Sequence, residues 1–139
     1  MNIITFQPEH LHRMRLQARQ HAAIAWSDAK YLTALKSLGP AVTGVDSNGR
    51  VIACGGVATI PGIQVLWGYV SSESGQSFIG LHRAVVRLLS ICSVGPIEST
   101  TEADFPAGCR WLEMLGFKFD RELPNYGFFG ETHRRYVRN

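Results

Sequence analysis

The stretch that decides the fold is CRWLEMLGFKFDRELPNYGFFGE, which runs from Cys109 to Glu131. Its first part carries apolar residues at helical spacing, and Gly116 can end that helix because glycine readily adopts a positive φ. The residues after Gly116 alternate like a strand, and a loop rich in proline, asparagine and glycine follows. A helix, a glycine stop and a strand in this tight order predict a domain that mixes helices with a sheet.

The composition is typical of a globular domain. The chain has 139 residues, of which 45% are hydrophobic and 18% charged, so it can bury about two-thirds of its unfolded surface. We therefore expect residues 1–139 to form a single domain. The net charge of +3 indicates a mild preference for anionic partners and does not select one.

Three cysteines, Cys54, Cys92 and Cys109, lie in apolar segments without CxxC spacing, which is typical of buried thiols in a reducing compartment. His10 and His12 lie two residues apart and point to different sides of a helix, so no metal site is predicted. The N-terminus lacks a signal-peptide pattern, and no apolar run approaches about 20 residues. We expect a soluble, cytoplasmic protein without a membrane partner.

Turn residues divide the first half of the chain. A short β-prone segment at 3–6 precedes a helical run that begins at Pro8, and two helices share this run, the second capped by Ser27 or Asp28. Two turn signals then separate three strands of an antiparallel meander. Within the middle strand, Gly55-Gly56 indicates a bulge or a close backbone approach.

The second half repeats helix and strand. A helical apolar stripe spans 78–92, a short strand 96–101 follows, and Asp104 can cap the next helix. The last two strands are expected at 117–119 and 133–137, and the whole order is β-α-α-β-β-β-α-β-α-β-β.

This order, together with Leu115-Gly116-Phe117 at the turn from the last helix to the next strand, resembles the GNAT (Gcn5-related N-acetyltransferase) superfamily. The resemblance implies a twisted, mostly antiparallel mixed sheet with helices on both faces. The segment 110–138 is similar to the C-terminal half of small GNAT-like proteins of tailed bacteriophages, a group that includes internal virion proteins.

The resemblance also implies a binding place for acetyl-CoA between the fourth and fifth strands. Its pyrophosphate would lie at the N-terminus of the following helix, where free backbone N–H groups favour anions. The phosphate-binding pattern of the superfamily falls on Gly75, Phe78 and Gly80, and only Gly80 fits it, although 75–77 could form an anion-binding nest in another register. The residues implied as cofactor-binding are Trp67, Gly68, Tyr69, Val70, Gly75, Gln76, Ser77 and Gly80.

Catalytic groups are less well matched. Many members of the superfamily carry a tyrosine five residues before the Phe of this turn, where its hydroxyl protonates the departing thiolate. The equivalent residue here is Leu112, and loss of a positioned acid costs roughly 10²- to 10⁴-fold in rate. Glu98, expected to point into a central cleft, and Glu73 are the predicted bases. His82 is expected to be a half-buried packing residue.

Two functions therefore remain open. The first is an N-acetyltransferase acting on a small-molecule or protein amine, with catalysis weakened by these mismatches. The second is a catalytically inactive bacteriophage protein, a virion or host-interaction component, that contacts a phage or host protein through the aromatic loop residues Tyr126, Phe128 and Phe129. The basic tail HRRYVR, at 133–138, is better explained as a guarded edge strand than as a nucleic-acid site.

Overall fold

The computed structural model describes residues 1–16, 29–92, 94–127 and 129–139. The strands are β1 (Asn2–Thr5), β2 (Ala41–Val45), β3 (Val51–Ile60), β4 (Ile63–Val70), β5 (Ile97–Glu102), β6 (Lys118–Leu123) and β7 (His133–Arg138). The helices are α1 (Pro8–His12), α2 (Ala29–Ser37), α3 (Phe78–Ile91) and α4 (Pro106–Met114), with a 3₁₀ turn at Gly75–Ser77 before α3. The predicted caps Ser27 and Asp28 lie outside the described residues.

The strands form one seven-stranded sheet in the order β1-β2-β3-β4-β5-β7-β6. Neighbouring strands are antiparallel except β4 and β5, which are parallel. The predicted meander of three strands is present as β2, β3 and β4. The predicted fold class, a single α/β domain with a mostly antiparallel mixed sheet, is therefore confirmed.

The C-terminal strand β7 does not lie at the edge of the sheet, so the prediction of an edge strand there is wrong. It lies between β5 and β6, and β6 forms the edge. Its arginines are engaged inside the domain: Arg135 pairs with Glu98 and Asp120, and the guanidinium of Arg134 lies 4.1 Å from the centroid of the Phe119 ring. These charges join neighbouring strands instead of guarding an open edge.

The turn after α4 explains why the stretch at Leu115-Gly116-Phe117 is decisive. The N–H of Phe117 donates to the carbonyl of Leu112 at 3.0 Å, and the N–H of Gly116 donates to the carbonyl of Glu113 at 3.0 Å. This pair of bonds is a Schellman motif, and it requires the positive φ of 93° that Gly116 adopts. Leu112 and Phe117 then meet in one core cluster, so the motif fixes the angle between helix and strand.

The start of α4 differs from its prediction. Phe105 is the N-cap residue, it makes no side-chain capping bond, and Pro106 occupies the first turn. The predicted cap at Asp104 is therefore wrong. Proline at this position needs no N–H partner and has the right φ, which explains the start one residue later.

Two core clusters cover opposite faces of the sheet. Leu66 packs against the cluster that α3 and α4 form, whereas the next residue, Trp67, packs against the cluster that α1 and α2 form. Successive residues of a strand point to opposite faces, so the helices sandwich the sheet. None of the described helices is long and apolar enough to cross a lipid bilayer.

Gly55 and Gly56 mark a close backbone approach, one of the two predicted alternatives. Pairing of β3 with β4 runs without a shift from Ala53 to Ile60, and a Cβ on Gly55 would lie 2.7 Å from the carbonyl oxygen of Trp67. The irregularity in this region lies instead in β2, between Gly44 and Val45.

Candidate functional site

The parallel strands β4 and β5 diverge, and a cleft opens where they separate. Among the described residues they pair at Gln64–Ile97 and Val65–Glu98 only, and beyond these pairs the Ser99 hydroxyl donates to the Leu66 carbonyl at 3.0 Å. The cleft has a volume of about 650 Å³. This is the size range of small-molecule sites, and packed cores rarely contain voids larger than a water molecule.

Small residues on β2, β3 and β4 form one wall of this cleft, beneath α3. Gly55 and Gly68 lie directly opposite each other on β3 and β4, and neither carries a side chain that could fill the space. We call this wall the glycine floor. It consists of two cross-strand rows, Val42–Gly55–Gly68 and Gly44–Ala53–Val70.

The opposite wall is built by α3 and α4 and is mostly apolar. Arg110 is the only charged side chain among the described residues that line the cleft, and the polar ones are Ser74, Ser99, Thr100, Thr101 and the indole of Trp111. The lining therefore suits an uncharged ligand segment better than a charged one. The apolar residues of this wall include Phe78, Leu81, Val85 and Leu88 of α3 and Leu112 of α4.

A hydrogen bond between the two helices crosses one side of the cleft. The indole N–H of Trp111 donates to Nδ1 of His82 at 3.0 Å, and the Phe78 ring lies 5.4 Å from the Trp111 ring, centroid to centroid. Because Nδ1 accepts this bond, the neutral imidazole carries its proton on Nε2. His82 is half-buried, as predicted, and it ties α3 to α4.

The predicted cofactor-binding residues of β4 divide between two faces. Trp67, Gly68 and Val70 line the cleft, whereas Tyr69 is buried in the core cluster of α1 and α2. The ring of Trp67 also packs against that cluster. The contribution of Trp67 to the cleft therefore comes from its backbone.

At the start of α3 the predicted residues also separate. Gly75 lines the cleft, and no described atom lies within 4 Å of the Cβ that an alanine there would carry. Gln76, Ser77 and Gly80 do not line the cleft, and Gly80 lies against Met1. An anion near this turn would thus lie at the rim of the cleft, beside Gly75.

The two predicted bases are held by arginines outside the cleft. Glu98 pairs with Arg135 and does not line the cleft, so the predicted orientation towards the cleft is wrong. Glu73 lies 3.1 Å from Arg50 in an exposed ion pair, two residues before Gly75. Neither carboxylate lines the cleft.

The position expected for a catalytic acid is apolar. Leu112 is buried and lines the cleft, and its side chain has no proton to donate. The structure therefore has a cleft but no acidic side chain at this position, where the resemblance implies one.

The loop between β6 and β7 presents aromatic rings to solvent. Tyr126 is 55% and Phe129 69% exposed, while the predicted interaction residue Phe128 lies outside the described residues. The Tyr126 ring lies 5.1 Å from the His133 ring, centroid to centroid. Neither Tyr126 nor Phe129 lines the cleft, so the loop and the cleft are separate features.

The three cysteines are free thiols. Cys54 and Cys109 are buried and Cys92 is half-buried, and burial raises the pKa of the Cys54 thiol to about 11. In the parts of the chain that the structure describes, no group of three His, Cys, Asp or Glu side chains lies together as a metal site.

Sequence reasoning missed the glycine floor and the bond between Trp111 and His82. A signal for the floor exists, because glycine or alanine occurs in each of three consecutive strands, at Gly44, at Ala53 and Gly55, and at Gly68. Its meaning depends on the register that aligns them. No local pattern predicts the hydrogen bond between Trp111 and His82, since the two residues lie 29 positions apart in the sequence.

Solved structures with a similar arrangement include acetyltransferases. Ard1 from Thermoplasma volcanium has a TM-score of 0.76 at 15% identity, covering 99% of this chain and 95% of that chain. The ribosomal-protein-S18-alanine N-acetyltransferase from Escherichia coli has a TM-score of 0.73 at 16% identity, covering 99% and 92%. A GNAT superfamily phosphinothricin acetyltransferase from Sinorhizobium meliloti, in complex with AcCoA, has a TM-score of 0.70 at 15% identity, covering 99% and 86%.

No protein-family model matches the sequence, and no curated protein matches it. At these low identities the likeness is one of architecture. The sheet order, the divergence of β4 and β5 and these structural matches together show that the chain has the GNAT fold.

Proposed function

We propose that this chain is an N-acyltransferase that transfers an acetyl group from acetyl-CoA to an amine. The observation that carries the proposal is the cleft of about 650 Å³ at the divergence of β4 and β5. Its apolar lining suits the uncharged pantetheine arm of CoA, and a similar fold is known in complex with AcCoA.

The binding residues follow from the two sides of the cleft. The backbone of β4 from Trp67 to Val70 would hold the pantetheine arm like an added strand. The turn Gly75–Ser77 and Gly80 would hold the pyrophosphate at the rim, where α3 begins without an acidic residue in its first turn. The helix dipole supports an anion there, whereas the Phe78 ring limits how closely phosphate can approach.

In the reaction, the amine nitrogen attacks the thioester carbonyl carbon, a C–N bond forms, the C–S bond breaks, and CoA leaves as a thiolate. Glu98 or Glu73 would accept the proton of the amine through water. Since Leu112 cannot donate a proton, the thiolate would take its proton from water. We therefore expect slow turnover, lower by roughly 10²- to 10⁴-fold than with a positioned acid.

The acceptor we propose is a small-molecule or protein amine. The similar structures include enzymes named for each kind, phosphinothricin and the alanine of a ribosomal protein. The net charge of +3 does not distinguish between these acceptors.

In a second candidate function, the chain has the same fold but is catalytically inactive. Leu112 at the acid position and the exposed rings of Tyr126 and Phe129 favour it, because exposed aromatic side chains often anchor protein interfaces. In that case the chain would be a bacteriophage virion or host-interaction component whose partner contacts this loop.

Calorimetric titration with acetyl-CoA and, separately, with free CoA tests the first proposal. We expect a Kd of about 100 μM or tighter, which corresponds to roughly 5.5 kcal/mol of binding. An absence of heat together with an absence of thermal shift at millimolar ligand would exclude the proposal and favour the second candidate.

A pair of variants tests the rim at α3. Phe78→Gly removes the ring from the expected phosphate position and should tighten binding of CoA. Ile79→Gly is the matched control, because it costs similar helix propensity at the next residue, which is 69% exposed. Equal affinities in the two variants would place the pyrophosphate elsewhere.

A further inference from the structure

We infer that the glycine floor receives the hydrocarbon chain of an acyl group longer than acetyl, a straight saturated chain with a carboxyl-derived head at the divergence of β4 and β5. Where the chain arrives as a CoA thioester, this inference rests on the proposed function. A free fatty acid would bring the same chemistry without CoA.

The packing beneath α3 changes abruptly from one cross-strand row to the next. Val57 and Leu66 lie opposite each other and pack with Leu88 and Leu89 of α3, so that row is filled. The next pair on this face, two residues away on each strand, is Gly55 and Gly68, and neither carries a side chain. Space therefore opens beneath the N-terminal half of the helix.

The space above Gly68 can be judged from its surroundings. Among the described residues, a Cβ placed there would have two atoms within 4 Å, the Cys54 carbonyl oxygen at 3.3 Å and the Gly55 Cα at 3.8 Å. Both belong to the backbone of β3. No described side chain fills this position, so a ligand can occupy it without displacing one.

The shape and chemistry of the floor select a hydrocarbon chain. From β4 to β2 the floor spans two strand spacings, about 10 Å. Its β2 end is covered by Met1, whose Sδ lies 3.2 Å from the position of a Cβ on Gly44, so the open part lies over β4 and β3 and gives methylene groups room beyond an acetyl group. The side chains facing this space include Val42, Ala53, Leu81 and Val85. They offer no hydrogen-bond partner, so a polar extension of the ligand would lose its bonds to water here.

Burial of each methylene group should tighten binding by about fourfold, until the floor is full. The test is calorimetric titration with acetyl-, butyryl-, hexanoyl- and octanoyl-CoA and, in a separate arm, with sodium octanoate. We expect affinity to rise with chain length among the thioesters.

The arms separate failure of this inference from failure of the proposed function. Equal affinity for all four thioesters would overturn the inference and leave the proposed function standing. Binding of octanoate without binding of any thioester would overturn the proposed function and assign the floor to a free fatty acid. Absence of binding in every arm would overturn both.

Variants that fill the floor locate the chain. Ala53→Leu extends a side chain into the space between Gly44 and Val70, and Val42→Leu, at a half-buried position, is the milder second variant. Each should flatten the dependence of affinity on chain length. Thr59→Leu, on the exposed end of β3 and outside the cleft, is the matched control and should keep the dependence. An unchanged dependence in both floor variants, with folding verified by circular dichroism, would contradict the inference.

Discussion

The two halves of α3 lie over the same sheet and have different surroundings. In the C-terminal half, Leu89 packs in a closed core with Val57 and Ile97 and does not line the cleft. In the N-terminal half, Leu81 and Ala84 line the cleft that the glycine floor borders. The helix carries one continuous apolar stripe, so the residues across from the stripe decide whether it encloses a core or a binding site.

The difference in packing between the two halves of α3 has a physical reason. A core gains stability when side chains from both layers interdigitate, and it loses contacts wherever one layer supplies none. Gly55 and Gly68 supply none beneath the N-terminal half, so that half contributes less to folding. The same vacancy is what allows a ligand to enter.

The largest effect should come from truncating the two halves separately. Leu89→Ala, at a residue 1% exposed, should lower the free energy of unfolding by about 3 kcal/mol, since it leaves a closed cavity. Leu81→Ala should cost about half as much, because its side chain already borders open space. Urea unfolding of both variants measures the difference. Equal losses would show that the two halves of α3 are packed alike.

A smaller effect is expected from the bond that ties α3 to α4 beside the cleft. Trp111→Phe removes the indole donor and should lower the free energy of unfolding by about 1 kcal/mol. A double-mutant cycle with His82→Ala isolates the interaction from the loss of ring contacts. Additive losses in the cycle would show that this hydrogen bond does not stabilise the packing of α3 against α4.

The reactivity of the Cys54 thiol measures how accessible this residue of β3 is to solvent. Burial raises the pKa of Cys54 to about 11, so about 0.1% of this thiol is ionised at pH 8 and we expect very slow alkylation. Mass spectrometry of iodoacetamide-treated native protein would identify the modified residue, with unfolded protein as the control. Rapid modification of Cys54 would mean that solvent reaches its thiol within the core cluster that α1 and α2 form.

The smallest effect concerns pH and the opposite face of the sheet. His10 is buried; its Nδ1 accepts a hydrogen bond from the Gln7 N–H at 3.1 Å and lies 2.8 Å from the Thr43 hydroxyl oxygen. Burial, followed by the charge of Arg13, lowers the pKa of His10 below 6.5. The unfolded state therefore binds more protons below pH 6.5, so this contribution to stability is present above that pH and falls as the pH drops.

His10→Gln should reduce the fall in unfolding free energy between pH 7 and pH 5, measured by urea unfolding at each pH. The amide oxygen of the new side chain can still accept a hydrogen bond from the Gln7 N–H, so the variant isolates the titration. An equally steep pH dependence in the variant would assign the effect to another group.

Local signals in the sequence predicted most of the fold. The glycine stop at Gly116 and the turns of the meander act over a few residues, so they can be read without knowing the partners of a strand. The place of β7 between β5 and β6 was predicted wrongly, because pairing between distant segments leaves no local pattern. The predicted orientation of Glu98 is wrong for the same reason, because its partner Arg135 lies on a strand whose pairing the sequence does not reveal.

The site was predicted only in part for a related reason. The resemblance to the GNAT superfamily directed attention to β4 and to the start of α3, where Gly68 and Gly75 do line the cleft. The floor itself is a set of glycines and small apolar residues that three strands bring into register. Glycine in a strand is equally compatible with a bulge, a close approach or a binding surface until that register is known.

The most direct test for acetyl-CoA binding in this cleft is a nuclear magnetic resonance titration of ¹⁵N-labelled protein with acetyl-CoA. Binding in the cleft should shift the amide signals of Gly55, Gly68 and Gly75 and the indole signal of Trp111, because all four residues line the cleft. The signals of Gly49 and Gly62, at turns outside the cleft, should remain in place. Shifts confined to those turns or to the loop of Tyr126 and Phe129, or no shifts at millimolar acetyl-CoA, would contradict binding in this cleft.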